Sequence, residues 1–225
     1  MNRNILYIAP LFLVAGCGKG GGYTPKEVVK VEPVKVTAGQ EQELYPMAVG
    51  NQWVFTSESG GRKEEVTIKV ADVQETGGAK VARLETSFGT GDVRNVQMRM
   101  DGTGVYQMTS PSGAAYTPSQ PLIMFPLEKG TKEFEFTGPY PVEGEGPMKI
   151  AVKYVGVQEI DTDMGRLSAV AVESLTTWNT ADGPGRSYAM TWWTPGIGFV
   201  RQRQEITIGN SSAIVLMKLK AYTAK

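Results

Sequence analysis

Glu65-Val66-Thr67-Ile68-Lys69-Val70 decides the fold. Val66, Ile68 and Val70 fall on one side of an extended chain and Glu65, Thr67 and Lys69 on the other, the two-residue period of a half-buried strand. The pattern recurs in both directions. Ala82, Leu84 and Phe88, then Val96, Met98 and Met100, alternate with Arg83, Glu85, Asn95, Gln97 and Arg99. Met148, Ile150, Val152 and Tyr154 oppose Lys149 and Lys153, and the phase changes at Gly156, which predicts a bulge there. Tyr188, Met190 and Trp192 read as one inward face, and Ala213, Val215, Met217 and Leu219 as another.

Short turn signals separate these runs at Ser59-Gly60-Gly61, Gly77-Gly78, Gly89-Thr90-Gly91, Asp101-Gly102, Asp161 to Gly165, Asp182-Gly183, Pro195-Gly196 and Gly209-Asn210. Such connections join antiparallel neighbours. The expectation is an all-β domain over 45–225: a curved antiparallel meander of about eleven strands, curled into a half-open barrel with an apolar inside. No stretch carries apolar residues at helical spacing. A faint internal echo accompanies this, with Tyr45-Pro46-Met47 before Trp53-Val54-Phe55-Thr56 and Phe125-Pro126-Leu127 before Phe134-Glu135-Phe136-Thr137.

Upstream of the domain the chain changes character. Arg3 precedes ten apolar residues, Ile5 to Val14, too few to span a bilayer, which takes about 20. Residues 1–16 therefore read as a secretory signal peptide. Val14-Ala15-Gly16-Cys17 ends it, and Cys17 is the chain's single cysteine. This stretch resembles the bacterial lipoprotein signal, which implies cleavage between Gly16 and Cys17 and a diacylglycerol thioether on Cys17. Two or three acyl chains, at about 0.8 kcal/mol per buried methylene, exceed what stable anchoring needs. The implied location is the cell envelope. Gly18 stands where related signals use aspartate for inner-membrane retention, which favours the outer membrane if the source has two. Residues 17–44 then form a lipidated cysteine and a tether, opening Gly18-Lys19-Gly20-Gly21-Gly22. Val28-Val29-Lys30-Val31-Glu32-Pro33-Val34-Lys35-Val36 within it also has the alternation of a strand, which Pro33 would confine to a sheet margin.

Composition narrows the chemistry. Lys+Arg and Asp+Glu are 23 each, so nothing in the bulk charge points to nucleic acid. Histidine is absent, which removes Ser-His-Asp and Cys-His sites and histidine metal ligands. With Cys17 lipidated, no thiol remains for a disulfide or zinc. Gly16 to Gly22 with Lys19 lacks the strand, the Gly-Lys-Ser/Thr ending and the helix of a phosphate loop. Asp161-Thr162-Asp163-Met164-Gly165 falls short of a calcium loop's ligand set and reads as a hairpin turn. Glu64, Glu65, Glu143, Glu145 and Glu173 offer carboxylates that nothing marks as a catalytic pair. No catalytic residue, metal site or cofactor is expected, and the protein reads as a non-enzyme.

The densest region is Met190-Thr191-Trp192-Trp193-Thr194-Pro195-Gly196-Ile197-Gly198-Phe199-Val200-Arg201-Gln202-Arg203, a hairpin whose adjacent tryptophans must point to opposite faces. Together with Tyr45 to Phe55, the stretch Trp193 to Arg201 resembles a group of uncharacterised bacterial lipoproteins. These pair an N-terminal Tyr/Phe-Pro-Leu-x-x-Gly-x-x-Trp-x-Tyr/Phe motif with a C-terminal Trp/Tyr-x-x-Gly-Val-Gly-x-Val-Lys hairpin. Here Met47, Ile197 and Arg201 are conservative departures. The resemblance implies the half-open β-barrel superfamily that includes the lipoprotein carriers LolA and LolB, whose curved sheet cradles acyl chains. The chain shows no clear equivalent of the carriers' plug helices, and Pro121-Leu122-Ile123-Met124-Phe125-Pro126 is the candidate cover or core under a loop.

Two functions follow. Trp53, Phe55, Met98, Met100, Met190 and Trp192 form a candidate groove for a hydrophobic ligand or lipid, since pliable thioethers suit varied guests. Alternatively the core is filled and the domain is a protein-interaction or structural module, with Trp193, Arg201 and Arg203 as the exposed partner patch.

Overall fold

The computed structural model describes residues 40–141, 144–181 and 183–225. The signal peptide, Gly16, Cys17, the tether up to residue 39, Glu143 and Asp182 lie outside the described residues.

Among the described residues twelve antiparallel strands follow one another: β1 (Gln52–Ser59), β2 (Arg62–Thr76), β3 (Ala79–Phe88), β4 (Val93–Asp101), β5 (Gly104–Thr109), β6 (Ala115–Met124), β7 (Thr131–Pro139), β8 (Glu145–Thr162), β9 (Gly165–Thr180), β10 (Gly183–Thr194), β11 (Gly198–Ile208) and β12 (Ser211–Thr223). Each pairs with its neighbours in sequence, and β1 pairs with both β2 and β12, so the meander closes into a barrel. This is the expected all-β meander with one more strand and a closed ring. Alternation hides β6, because Pro118 and Pro121 interrupt it and Leu122 and Ile123 are both buried. The Pro121–Pro126 stretch is no separate cover. It is the end of β6 and the start of the loop to β7.

The strand period sets the faces. In β1, Trp53, Phe55, Ser57 and Ser59 are buried between half-buried residues. Val66, Ile68 and Val70 of β2 and Val96, Met98 and Met100 of β4 point inward as read. Lys69, Arg83, Glu85, Gln97 and Lys149 face outward, the reverse of the polarity a membrane-spanning barrel needs. The register shifts between Tyr154 and Gly156, the bulge foreseen at that glycine.

One strand departs from the reading. In β10 it is Ser187, Ala189, Thr191 and Trp193 that are inward and buried, while Tyr188 and Met190 are half-exposed on the outer wall. Trp192 shares that outer face with its cross-strand partner Arg201. By bulk alone, Tyr188, Met190 and Trp192 read as the core face. Inside a flattened barrel, where opposite walls meet, the small residues fit instead.

Alternate turns of the meander lie at opposite ends. The chain enters at the near end through a single turn of 3-10 helix, Gln40–Leu44. Leu44 is fully buried, and the amide of Gly196 donates to the Glu43 carbonyl at 3.0 Å. The Leu127 amide donates to Glu41 Oε1 at 3.1 Å. The packed unit therefore includes Gln40–Leu44 as well as the expected 45–225. The ring is least continuous between β6 and β7, which share only the pair Thr117–Thr137, whereas β7 is laddered to β8 from Thr131 to Pro139.

Candidate functional site

The two sequence motifs meet at the near end and form a structural knot. Tyr45 stacks on Trp53 at 5.8 Å between ring centroids and meets Trp193 edge-on at 5.6 Å. Trp193 packs on Phe199 at 5.3 Å, and Phe199 on Phe55 at 5.1 Å. Trp53 Nε1 donates to the Ile197 carbonyl at 2.5 Å, so the buried indole is satisfied by the very turn that the second motif encodes. Gly198 has φ +93°, and a Cβ there would lie 3.1 Å from Pro46 Cδ and 3.5 Å from Trp53. Aromatic contact and close approach explain both motifs as closure of the barrel. Burial also pushes the Tyr45 phenol far above its ordinary pKa.

The candidate groove residues separate. Trp53, Phe55, Met98 and Met100 are inward and buried, while Met190 and Trp192 lie on the outer wall. Nor is the interior an open groove. The recess between Tyr116, Gln120, Phe136 and Met148 has about 10 Å³ of free volume, room for about one water. Twelve strands in a round ring would enclose more than side chains fill, so the barrel must be flattened. At that recess Gln120 and Tyr116 of β6 meet Ser174 and Thr176 of β9 and Ser187 of β10 across the interior. A second recess of similar size lies along the same seam, lined by Ile123, Met124, Lys132, Val152, Tyr154 and Val172 among others.

The far half of the interior mixes buried apolar side chains such as Phe88, Phe136, Met148 and Trp178 with a string of polar ones. Gln202 Nε2 donates to Gln204 Oε1 at 2.7 Å, and Gln204 Nε2 to Ser187 Oγ at 2.8 Å. Trp193 Nε1 donates to Thr191 Oγ1 at 2.9 Å, tying this string to the aromatic knot. Gln202 Oε1, Gln107 Oε1, Ser59 Oγ and Thr86 Oγ1 are buried with no protein partner among the described residues. Sequence reasoning missed this, although Arg201-Gln202-Arg203-Gln204 announces it: a strand without an apolar face has a polar interior side. Glu64, the partner of inward Ser57, also leans to this end. Burial raises its pKa, and the charge of Arg94 opposes the rise.

The outer wall of β9–β12 holds the remaining candidates. Trp193 is not an exposed patch residue, being only 1% exposed within the knot. Trp192 lies on the outer face but is itself only 7% exposed: the Arg201 guanidinium lies 5.4 Å over its ring, and its Nε1 donates to Gln158 Oε1 at 2.8 Å. Its neighbours along the row are Ala171 and Gly156, small enough to leave space for the indole against the wall. The adjacent row runs Leu216, Arg203, Met190, Glu173, Lys153. The next is Ile214, Glu205, Tyr188, Leu175, Ala151, in which Leu175 and Ile214 are among the exposed large apolar residues. Partial burial, and secondarily the charge of Glu173, raise the Tyr188 phenol's pKa against the opposing Arg203. The result is a mixed surface in which apolar side chains alternate with charged ones, Arg203 Nη2 lying 3.4 Å from Glu205 Oε2. Among the described residues no group of three or more acidic side chains gathers as a metal site. Glu145 is exposed in its strand, away from any such group.

Comparison with solved structures places the fold. A protein of Parabacteroides distasonis ATCC 8503, provisionally assigned as a lipoprotein, matches with a TM-score of 0.55 at 13% identity over 80% of this chain and 98% of that one. An exported protein with a YmcC-like fold from Bacteroides fragilis NCTC 9343, also provisionally assigned, matches with a TM-score of 0.46 at 14% identity over 80% and 98%. The hypothetical lipoprotein YmcC of Escherichia coli K12 gives 0.44 at 8% identity over 77% and 88%. At these identities the first likeness speaks for the fold alone. No family model and no curated protein matches the chain.

Proposed function

We propose that this is a lipid-anchored envelope protein whose barrel is a non-enzymatic protein-interaction module, with the outer wall of β9–β12 as its contact surface. The observation that carries the reading is the filled interior. A free volume of about 10 Å³ takes a water and no acyl chain, so the surface on offer is the outside. On that outside, apolar Leu175, Ile214, Met190 and Tyr188 lie beside Arg201 and Arg203, the mixture of apolar, aromatic and arginine side chains that protein interfaces favour. Anchoring rests on Val14-Ala15-Gly16-Cys17, and the provisional lipoprotein assignment of the Parabacteroides protein agrees with it. If the source has two membranes, Gly18 favours the outer one. The lack of histidine and of a gathered acidic site among the described residues supports a role without catalysis.

A photo-crosslinking side chain at Leu175 tests the wall. It should give one discrete envelope-protein adduct, and the same group at Gln97 on β4 should give none. Equal adducts at both sites would reject the surface, and continued incorporation of an acyl label by a Cys17→Ser variant would reject the anchor. A second reading, a hydrophobic ligand as in the LolA and LolB carriers, is favoured by one observation: both recesses lie along the β6–β7 seam, where the ring is least laddered and could widen.

A further inference from the structure

We propose that the β8–β9 hairpin beyond Gly156 is a strap folded over the outside of β10 and β11, and that its release uncovers Trp192 as the anchor of the β9–β12 contact wall. The hairpin outlasts its neighbours. β9 pairs with β10 no further than Val170, opposite Trp193, yet β8 and β9 stay laddered to each other from the pair Gln158 and Ala169 out to Thr162 and Gly165. Those pairs add about 17 Å of ribbon beyond the last β10 partner.

The tip is held down. The Asp163 amide donates to the Leu219 carbonyl at 3.1 Å, and Lys218 Nζ lies 2.5 Å from Asp163 Oδ1. Both partners belong to β12, which β10 and β11 separate from β9, about 14 Å away at the usual strand spacing. The ribbon therefore turns sideways and crosses β10 and β11. Its bend is written at Gly156, where the register shifts and φ is +139° although a Cβ would meet nothing within 4 Å. Backbone shape rather than space requires glycine there.

Burial says which way the ribbon folds. By register, Gln158, Ile160 and Thr162 of β8 and Leu167 and Ala169 of β9 continue the outer face that carries Trp192. A free ribbon would expose that face. Instead Ile160, Thr162 and Ala169 are buried, whereas Asp161 and Arg166 on the opposite face are exposed. The strap thus lies face-down on the outer wall, and Ile160 and Leu167 join the apolar cluster that includes Trp192. This explains why an outer-wall tryptophan is covered, with its Nε1 held by Gln158 of the strap itself. Tryptophan and arginine are the side chains that most often dominate an interface, so the strap withholds the strongest anchor the wall possesses, beside Arg201.

Little holds the strap closed. Among the described residues no ladder joins residues 158–169 to β10, β11 or β12, and besides the Asp163 contacts Thr194 Oγ1 donates to the Ser168 carbonyl at 3.0 Å. The Lys218–Asp163 pair is half-exposed on both sides, where an ion pair adds little. A segment fastened this lightly opens while the barrel stays folded. The gating rests on the outer wall being the contact surface; the strap itself does not.

The test uses the full chain with Cys17→Ser, so that introduced thiols are the only ones, and first reads the strap without a partner. A thiol from Ile160→Cys on the underside should be alkylated about a hundredfold faster than one from Val215→Cys inside the barrel, at a rate nearly independent of low denaturant, because the opening exposes little surface. Adding Lys218→Ala should speed the first about threefold. Equal rates with one shared denaturant slope would show that hairpin and barrel open only together and would overturn the strap. Joining Asp163→Cys to Lys218→Cys with a short bis-maleimide then locks it. The envelope-protein adduct of the Leu175 crosslinker should fall about tenfold against the same variant capped with N-ethylmaleimide, as when a dominant interface side chain is withheld. An adduct unchanged by the lock would overturn the gating. No Leu175 adduct from any form would instead reject the wall, and the gating with it, while the alkylation rates still judge the strap.

Discussion

The near and far halves of the barrel interior are built from different materials. At the near end Tyr45, Trp53, Trp193, Phe199 and Phe55 form a continuous aromatic stack whose indole N–H groups are satisfied. At the far end Ser57, Ser59, Thr86, Ser187, Gln202 and Gln204 take inward positions among the apolar Phe88, Phe136, Met148, Trp178 and Ile206, and several of their polar atoms reach no protein group. The near half closes the fold. The far half accepts polarity at a cost in stability, since a buried polar atom without a partner forfeits about 1–3 kcal/mol. It also makes a poor lining for acyl chains, which cannot satisfy those atoms.

The largest break in this contrast should come from Trp193→Ala, which empties the middle of the aromatic stack and should cost about 3–5 kcal/mol. Trp192→Ala removes one hydrogen bond and one cation–π contact on the outer wall and should cost about 2 kcal/mol. Chemical denaturation of the pair checks the order, and equal losses would mean the two rings are equally structural.

Gly198→Ala sharpens the near-end side. It forces a positive φ on a residue with a Cβ and crowds Pro46, so a loss of about 1–3 kcal/mol is expected by thermal melting. An unchanged melt would show that the turn can relax away from the knot.

Gln202→Met probes the far end. It removes the unpartnered Oε1 but also the donor to Gln204, so the two effects offset and stability should shift by less than about 1 kcal/mol. A loss as large as that of Trp193→Ala would make the polar string a keystone of the fold.

Glu64 gives the smallest effect and a pH signature. Its folded-state pKa is raised, chiefly by burial, so the carboxylate costs stability above that pKa, and the cost disappears as the pH falls below the unfolded value. Glu64→Gln should therefore be slightly more stable than the parent at neutral pH, and the two should converge through the ordinary carboxylate range. Denaturation midpoints at both pH values read this directly, and a gain that grew on acidification would reverse the sign.

Much of the fold was legible because a half-buried strand writes its own period. Val66-Thr67-Ile68-Lys69-Val70 and Val96 to Met100 gave their faces directly, and Gly156 gave its bulge. The reading failed where bulk and burial part company. On β10 the large alternates Tyr188, Met190 and Trp192 are the outer wall, because the interior facing Gln204 and Ser174 has room only for Ser187, Ala189 and Thr191. On β6 two prolines broke the period of a genuine strand. Of the candidate sites, the four inward residues of the groove were placed correctly in space but are packed. Of the partner patch, Arg201 and Arg203 lie half-buried on the outer wall, while Trp193 is buried in the knot and Trp192 is covered beside Arg201. Leu175 and Ile214 escaped notice because a lone exposed apolar residue acquires meaning only beside its cross-strand neighbours.

Native mass spectrometry of the chain beginning at Gly18, purified from an exporting bacterial host, tests the filled interior most directly. A filled interior gives the mass of the polypeptide alone under conditions that preserve bound lipid. A reproducible adduct of acyl-chain mass, lost on Val172→Trp in the β6–β7 recess but not on Leu175→Arg on the outer wall, would show that the barrel opens to hold lipid and would contradict it.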